Sequence, residues 1–225
     1  MFYTVKAVHT ADFRVLINET PNKWRSMARR SFNDKNTHVY DRILLVGLGN
    51  PGSQYELTYH NIGFIIVDAI CKCWNFQPFS KKVDYLITSG IINESKTILL
   101  KPYSFMNKSG IPVAKIRNFY KFSLDNIIVI HDDTDLELGR IKIKKGGSSA
   151  GHNGLKSIDS FIGNDYWRLR FGIGRPNDQR DLADYVLSKF ANFDNATHLV
   201  EKIAKNIHLM LQEDNTAFIR SLALW

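Results

Sequence analysis

The sequence lacks the features that mark membrane-spanning, fibrous and disulfide-stabilised proteins. Its longest apolar stretches, such as residues 43–46 and 64–67, are far shorter than the ~18 residues that a membrane span needs. The only two cysteines, Cys71 and Cys73, are too few for a zinc site and too close together on a helix for a disulfide. No internal repeat is present, and a content of 44% hydrophobic and 23% charged residues is that of a globular protein.

Acidic residues are outnumbered by basic ones. Thirty Lys and Arg against 22 Asp and Glu give a formal net charge of +8 and an isoelectric point near 9.4. This balance favours polyanionic partners, either nucleic acid or an anionic membrane surface. A lysine-rich composition also arises without such a partner. The charge therefore indicates a polyanionic partner only if the basic residues lie near a functional site.

Residues 1–41 carry no sustained apolar periodicity. They hold seven Lys or Arg and four acids, and they lack the run of about 7 to 15 apolar residues that a secretory signal requires. They are also richer in acids than a mitochondrial transit peptide. We therefore expect an N-terminal extension at 1–41 that is disordered or loosely packed, followed by an α/β domain at 42–225.

From residue 42 onward, strand-like and helix-like apolar patterns alternate. Residues 43–46 form a continuous apolar run followed by glycines, which predicts a strand buried on both faces and then a sharp turn. Further strands are predicted at 85–92, 97–100, 126–130, 141–145 and 169–173, and helices at 62–73, 113–120, 155–162 and 199–211. This alternation predicts a single α/β domain with a mixed twisted sheet flanked by helices on both faces.

The segment GLGNPG at residues 47–52 matches the dinucleotide-binding pattern G-x-G-x-x-G and follows a predicted strand. Two features oppose a dinucleotide-binding enzyme. Asp68, the acid at about the required distance, lies inside a predicted helix, and Pro51 removes an amide that would face the pyrophosphate. A tight turn built from glycines and Asn-Pro-Gly accounts for the same residues without a ligand.

The dipeptide His131-Asp132 follows a predicted central strand, where α/β proteins place their ligands. A histidine-aspartate metal phosphohydrolase would use such a pair. That class is helical, however, and needs further metal-binding histidines in register, whereas no His-x3-His or similar pair accompanies this dipeptide. The sequence therefore disfavours metal catalysis.

Three loops combine carboxamides with imidazole or glycine. They are Asn50 with His60-Asn61, Met106-Asn107 near Ser109-Gly110, and Gly151-His152-Asn153-Gly154. Carboxamides both donate and accept hydrogen bonds, which suits them to hold a peptide backbone or an oxyanion without adding charge. A single Asn beside Gly is usually a turn residue, but three such loops indicate a polar site.

Six segments of the chain resemble, in order, the sequence blocks of bacterial peptidyl-tRNA hydrolases. They are GLGNPG (47–52), HNIGF (60–64), SFMNKSG (104–110), HDDTDL (131–136), GHNGLK (151–156) and RLRFGIG (168–174). Each segment alone is weak evidence, but six in the same order make a specific match. The resemblance implies a hydrolase domain at 42–225 that cleaves the ester between a peptide and the 3′ end of tRNA, so that both are recycled in translation.

The resemblance also implies which residues form the site. His60 corresponds to the catalytic histidine and Asp132 to the carboxylate that orients and supports it. Substrate contacts fall on Asn50, Tyr55, Asn61, Met106, Asn107 and Asn153, and tRNA contacts on Lys142, Lys144, Lys145 and Arg170. A neutral imidazole, with a reference pKa of about 6.5, can take a proton from water, and a neighbouring carboxylate stabilises the imidazolium. Phosphate contacts from the basic residues would position tRNA without reading its sequence.

Three positions depart from the pattern of that family. Tyr59 stands where arginine is common, Asp133 replaces a glutamate, and Ser148-Ser149-Ala150 replaces a more glycine-rich run.

Some relatives of this fold act in organelles as RNA-binding splicing factors, but the presence of His60 and Asp132 favours the enzyme. We expect a monomer without cofactor, metal, membrane association or obligate protein partner. Its expected location is the bacterial cytoplasm, or a mitochondrion if residues 1–41 are a transit peptide.

Overall fold

The structure, a computed structural model, describes residues 42–176, 181–191 and 193–223. The described strands are β1 (Arg42–Gly47), β2 (Ser80–Lys81), β3 (Tyr85–Ile92), β4 (Ser95–Pro102), β5 (Ile127–Asp133), β6 (Ile141–Lys145) and β7 (Trp167–Gly172). The described helices are α1 (Ile62–Cys73), α2 (Gly110–Tyr120), α3 (Asn153–Ile162), α4 (Leu182–Val186), α5 (Phe193–Leu211) and α6 (Asn215–Ala223). None of these helices has both the length and the apolar character needed to cross a membrane. The extension expected at residues 1–41 lies outside the described part of the chain.

The strands form one mixed sheet in the order β2-β3-β4-β1-β5-β7-β6. The central strands β4, β1, β5 and β7 run parallel to one another, whereas β2, β3 and β6 pair antiparallel with their neighbours. Helices pack on both faces of the sheet, so the predicted α/β architecture is confirmed. The carboxyl ends of the four parallel strands meet at one edge of the sheet, where α/β proteins bind ligands.

Two hydrophobic cores lie on opposite faces of the sheet, and strand β1 contributes to both. Ile43 and Leu45 belong to the core formed with α1, α5 and α6, while Leu44 and Val46 belong to the core formed with α2 and α3. All four side chains are fully buried. A strand covered on both faces has no solvent-facing position, which explains the continuous apolar run in the sequence.

Strand β5 is longer than its apolar pattern predicts. The apolar run ends at Ile130, but the ladder with β7 continues and pairs Asp132 with Phe171. His131, Asp132 and Asp133 are therefore the last residues of the strand rather than a loop after it, which corrects the predicted end at residue 130. All three are buried, so their polar groups need partners inside the protein.

Three elements, β2, α4 and α6, were not predicted from the sequence. Strand β2 has two residues and α4 has five, so neither is long enough to show a periodic pattern. Helix α6, with nine residues, is also short. Helices α2, α3 and α5 begin before the predicted positions, because their first turns carry little of the apolar spacing that marks the rest of each helix.

Gly47 and Gly63 allow α1 to start directly against the ends of β1 and β5. A Cβ atom on Gly47 would lie 2.3 Å from the Gly63 carbonyl oxygen, and one on Gly63 would lie 2.4 Å from the carbonyl oxygen of Ile130. The Leu48 amide donates a hydrogen bond to Ile130 at 3.0 Å and fixes this approach. These glycines of the strand-to-helix connection thus permit close packing of α1 on the sheet.

Candidate active site

His60 and Asp132 form a buried hydrogen-bonded pair at the carboxyl end of β5. His60 lies in the 3₁₀ turn Tyr59–Asn61 immediately before α1, and Asp132 lies in β5, 72 residues further along the chain. The Nδ1 atom of His60 is 2.9 Å from Asp132 Oδ1 and 3.0 Å from Oδ2. The fold therefore brings together the histidine and the carboxylate that the resemblance singles out.

A second histidine, His152, shares the Asp132 carboxylate. Its Nε2 atom is 3.0 Å from Asp132 Oδ1, and its Nδ1 atom accepts hydrogen bonds from the amides of Gly154 and Leu155 at 3.1 and 3.3 Å. His152 thereby caps α3. Because Nδ1 accepts, the ring proton lies on Nε2 and is donated to Asp132. Sequence reasoning grouped His152 with the amide loops but did not name it as a site residue. Its position shortly before the helix predicted at 155–162 was the available signal.

Asp132 is the charged centre of this group. Burial raises the pKa of Asp132, but the charges and hydrogen bonds of His60 and His152 outweigh burial and hold that pKa well below the usual range. Burial lowers the pKa of His60, yet the charge and hydrogen bond of Asp132 outweigh it, so the net effect raises the pKa of His60. Neutral His60 donates its Nδ1 proton to Asp132 and keeps a lone pair on Nε2, which has no hydrogen-bond partner within the described ranges.

A third histidine, His131, is buried beside Asp132. Its Nδ1 atom is 2.6 Å from the backbone carbonyl oxygen of Asp132. A carbonyl oxygen only accepts hydrogen bonds, so Nδ1 of His131 carries the proton and Nε2 has a lone pair. Burial and the neighbouring His152 lower the pKa of His131 to about 3. Its Nε2 atom is buried and finds no partner among the residues that the structure describes.

A cavity of about 180 Å³ opens beside the three histidines. Its other lining residues are Asp132, Asp133, Thr134, Ser149, Ala150, Gly151, Asn153, Leu182, Ala183 and Val186. Helix α4 supplies the last three of these, which form an apolar wall. The cavity therefore has a polar side around the carboxyl end of β5 and an apolar side on α4.

Asn50 is held in place by Asn61 and Met106. The Asn50 amide donates to Asn61 Oδ1 at 2.8 Å, and Asn61 Nδ2 donates to the Asn50 carbonyl oxygen at 2.9 Å. The Met106 amide donates to Asn50 Oδ1 at 2.9 Å, which leaves Asn50 Nδ2 as a donor. Asn61 uses both ends of its amide and is 2% exposed. These two hydrogen bonds fix the position of Asn50, and the role of Asn61 as a direct substrate contact stays a prediction. The Met106 side chain is buried in the core beside α2 and α3.

The other residues implied as substrate contacts are accessible. Asn107 and Asn153 have exposed side chains, and that of Tyr55 is half-buried. Asn107 lies in the 3₁₀ turn Met106–Lys108, whereas Asn153 begins α3 and lines the cavity beside His152. Among the implied substrate contacts, Asn107 and Asn153 are thus exposed carboxamides, and Asn153 lies at the cavity.

Basic side chains project from one side of the sheet edge formed by β6 and β7. Lys142 lies opposite Arg170, and Lys144 lies opposite Arg168. Opposed residues of antiparallel strands point to the same side. Arg168 is buried and donates to the carbonyl oxygens of residues 147 and 148. Lys142, Lys144 and Arg170 remain at least partly exposed, and we call these three residues the basic face.

Lys145 does not belong to the basic face. It is the last residue of β6, and adjacent residues of a strand point to opposite sides. Its Nζ atom lies 2.5 Å from Asp125 and 3.6 Å from Asp165. Its direction and these acidic partners set Lys145 apart from the basic face.

Comparisons with known proteins identify the family of the chain. Residues 44–223 match the family model described as "Peptidyl-tRNA hydrolase". The chain belongs to this family. A peptidyl-tRNA hydrolase of Wolbachia sp. subsp. Drosophila simulans (strain wRi) is 86% identical over 176 residues, which make up 78% of this chain and 97% of the relative. One from Ehrlichia ruminantium (strain Welgevonden) is 54% identical over 175 residues, or 78% of this chain and 91% of the relative.

A solved structure shares the fold. The crystal structure of peptidyl-tRNA hydrolase from Acinetobacter baumannii matches with a TM-score of 0.76 and 30% sequence identity, over 84% of this chain and 98% of that chain. The chain is therefore an ester hydrolase of the peptidyl-tRNA hydrolase family. The alternative, a splicing factor of the same fold, is not favoured because the relatives are named as hydrolases.

Contacts in the structure account for two departures from the sequence pattern of the family. The ring of Tyr59 lies 5.0 Å from that of Tyr185 and 4.4 Å from that of Phe190, measured between centroids. These rings anchor the turn before α1 to α4 and to the segment that follows it. Asp133 accepts a hydrogen bond from Arg170 Nε at 2.6 Å and so holds a residue of the basic face. Sequence reasoning did not foresee either contact, because each joins residues far apart in the chain.

His60, Asp132 and His152 also offer three potential metal ligands. One ligand atom from each lies within 4.8 Å of the others. Each histidine points a ring nitrogen at Asp132 at 2.9 to 3.0 Å, and the other nitrogen of His152 caps α3. Hydrogen bonds therefore account for all three groups without a metal ion, an interpretation that chelation can test.

Proposed function

We propose that the chain hydrolyses peptidyl-tRNA with His60 as general base and Asp132 as the carboxylate that supports it. The observation that carries this proposal is the buried hydrogen bond between them, which directs His60 Nδ1 to the carboxylate and leaves Nε2 for a water molecule. The raised pKa of His60 makes Nε2 a stronger base than that of a free imidazole.

The reaction proceeds in two steps. First, His60 Nε2 takes a proton from water while the water oxygen attacks the ester carbonyl carbon, and Asp132 stabilises the imidazolium that forms. The tetrahedral intermediate then expels the 3′ oxygen of tRNA, which receives the proton from His60. The products are a peptide with a free carboxyl group and tRNA with a free 3′ hydroxyl, and His60 is again neutral.

Carboxamides hold the peptide half of the ester in this proposal. Asn50 keeps Nδ2 as a donor because its Oδ1 accepts from Met106. Asn107 and Asn153 are exposed and free to turn toward a bound peptide. Donors of this kind bind a peptide backbone and stabilise the oxyanion that develops on the carbonyl oxygen.

The basic face holds the tRNA half. Arg170 donates Nε to Asp133, and this contact directs its terminal nitrogens away from the carboxylate, where they can bind a phosphate with two parallel hydrogen bonds. Lys142 lies directly opposite Arg170, and Lys144 lies two residues along the same strand. Such contacts to the 5′ phosphate and acceptor stem would position tRNA without reading its sequence.

We further propose that the enzyme works as a monomer in the bacterial cytoplasm, without a metal or a protein partner. His60, Asp132, His152 and Asn153 meet within one chain, so the site needs no second subunit. The relatives described above are bacterial. Light scattering should give a mass near 25.9 kDa, and a mass twice as large would contradict the monomer.

Turnover of N-acetyl-aminoacyl-tRNA tests the proposed base. His60→Ala should lower kcat by roughly 10²- to 10⁴-fold, the usual contribution of a general base, while tRNA binding persists. His208→Ala is the matched control, because His208 lies on α5 against Trp74 and should not affect turnover. Near wild-type activity in His60→Ala would refute the assignment.

A further inference from the structure

His131 presents an unpaired hydrogen-bond acceptor beside the cavity. Its Nδ1 proton is committed to the carbonyl oxygen of Asp132, so Nε2 can only accept. The ring is 2% exposed, and burial keeps it neutral near pH 7. Within the described ranges, no protein donor reaches Nε2.

A buried acceptor without a partner is costly in a native protein and usually marks a bound water or ligand. The adjoining cavity measures about 180 Å³, far above the roughly 10–15 Å³ that one water needs. The space beside His131 therefore admits a ligand group larger than a water molecule.

The chemistry of the cavity walls fits a sugar. Thr134 and Ser149 contribute hydroxyl-bearing residues to the lining together with His131, and Leu182 and Val186 line the side formed by α4. A furanose ring has a hydroxyl edge and an apolar face of C–H groups. The hydroxyl edge would contact the polar residues of the lining, and the C–H face would contact the apolar residues of α4.

The residues around the cavity indicate which half of the substrate enters it. Of the three amides proposed above for the peptide half, Asn153 lines the cavity together with His60, whereas Asn50 and Asn107 are not part of the lining. Asp133, which accepts a hydrogen bond from Arg170 of the basic face, also lines the cavity. An ester held at His60 with its acyl part toward Asn50 and Asn107 leaves the cavity for its alcohol part. In peptidyl-tRNA that part is the terminal ribose, whose 2′-hydroxyl is a hydrogen-bond donor on the carbon next to the ester.

We propose that this cavity binds the terminal ribose of tRNA and that His131 Nε2 accepts a hydrogen bond from the ribose 2′-hydroxyl. This inference rests on the proposed function, because it requires the ester to lie at His60. It makes His131 a substrate-binding residue that distinguishes a ribose from a 2′-deoxyribose at the end of the substrate.

A pair of short substrates tests the inference. Each is a 3′ ester of an N-acetylated amino acid with cytidylyl-adenosine, and the two differ only in the terminal 2′ position, hydroxyl or hydrogen. The kcat/KM for each is divided by its rate of hydrolysis by hydroxide without enzyme, because a 2′-hydroxyl alters the intrinsic reactivity of the ester. Wild-type enzyme should then prefer the ribose substrate by about 3- to 10-fold, as the loss of one buried hydrogen bond predicts.

Two substitutions at His131 provide matched variants. His131→Asn keeps an amide nitrogen near the position of Nδ1 but has no atom at Nε2, so the corrected preference for ribose should fall to about one. His131→Gln places an amide oxygen near the position of Nε2 and should restore most of the preference. A general loss of activity in either variant cancels in the ratio of the two substrates.

The outcomes separate this inference from the proposed function. No turnover of the ribose substrate by wild-type enzyme would refute the proposed function itself. Turnover without a corrected preference, or a preference unchanged in His131→Asn, would refute the contact with the 2′-hydroxyl. A third ester, methylated at the amide nitrogen of the amino acid, tests the peptide as the donor. If this methylation slowed turnover by wild-type enzyme but not by His131→Asn, the N–H group of the peptide would be the donor to His131 and the inference would be wrong.

Discussion

Replacing Asp132 with Asn isolates the electrostatic support of His60. The amide keeps the size of the side chain and one acceptor oxygen for the ring protons of His60 and His152. It removes the negative charge that lies 2.9 to 3.0 Å from His60 Nδ1, and it replaces the second acceptor oxygen with a donor NH2 group. We expect the fold to persist, because the substitution also removes the cost of burying a carboxylate that is 3% exposed.

Two effects of Asp132→Asn oppose each other. Loss of the charge lowers the pKa of His60, so more of the base is neutral at acidic pH. The imidazolium formed during water attack also loses its counter-charge, and this lowers kcat. A hydrogen bond to a charged group contributes about 1–2 kcal/mol more than a neutral one, which corresponds to a fall in kcat of about 5- to 30-fold.

The assay is turnover of N-acetyl-aminoacyl-tRNA from about pH 5 to about pH 9, analysed as kcat and as kcat/KM. The ascending limb of kcat/KM reports His60 in the free enzyme, and Asp132→Asn should move it to lower pH. The matched control is Asp135→Asn, because that carboxylate pairs with the exposed Arg175 at 2.7 Å. The control should change neither the limb nor kcat.

Two results would refute this reasoning. A fall in kcat as large as that of His60→Ala would show that Asp132 does more than support the imidazolium. An ascending limb that stays in place would show that the charge of Asp132 does not set the pKa of His60.

Three further predictions concern tRNA, metal and stability. Arg170→Ala should raise KM with kcat little changed, and it should flatten the slope of log affinity against log salt by somewhat under about one unit. Lys145→Ala, on the other side of the strand, is the control and should change neither KM nor this slope. If Arg170→Ala impaired turnover of a short ester without the tRNA body as much as turnover of tRNA, Arg170 would belong to the catalytic centre. Turnover should survive excess EDTA once any metal that tRNA itself needs is restored, and rescue by a transition metal alone would indicate a metal site around Asp132. Because the pKa of His131 is lowered in the folded state, the unfolded chain binds more protons below about pH 6.5, and stability should fall by about 1.4 kcal/mol per unit between about pH 6 and 4.5. His60, whose pKa is raised, keeps its full contribution to stability in that window. Because His131→Asn removes the titrating group, its free energy of unfolding in urea should fall less steeply with decreasing pH. Curves of stability against pH that run parallel to wild type would contradict the prediction.

The architecture could be predicted from the sequence because its central elements carry strong apolar patterns. The run in β1 and the helical spacing in α1 reflect burial, and burial depends directly on residue type. Elements as short as β2 and α4 cannot be predicted in this way, because they contain too few residues to show an apolar pattern. The apolar pattern also ended β5 too early, because hydrogen bonds with β7 extend that strand through residues whose side chains are polar.

The candidate residues of the site could also be named from the sequence, through the order of its motifs. His60, Asp132 and the amides Asn50, Asn107 and Asn153 all stand in segments that resemble one family. No local pattern, however, encodes which of these side chains touch. That His60 meets Asp132 follows from the order of the sheet, which sets β5 beside β1 and the start of α1.

Only the tertiary structure decided how each polar group is used. Asp132 accepts hydrogen bonds from two histidines, and the Asn61 side chain forms hydrogen bonds with the backbone of Asn50. Lys145 points away from the basic face. Residue type sets what a group can donate, accept or carry as charge, and the sequence therefore determined the candidates. The partner of a group depends on side-chain direction and on segments brought together by the sheet, because hydrogen bonds form only within about 3 Å and only along favourable angles.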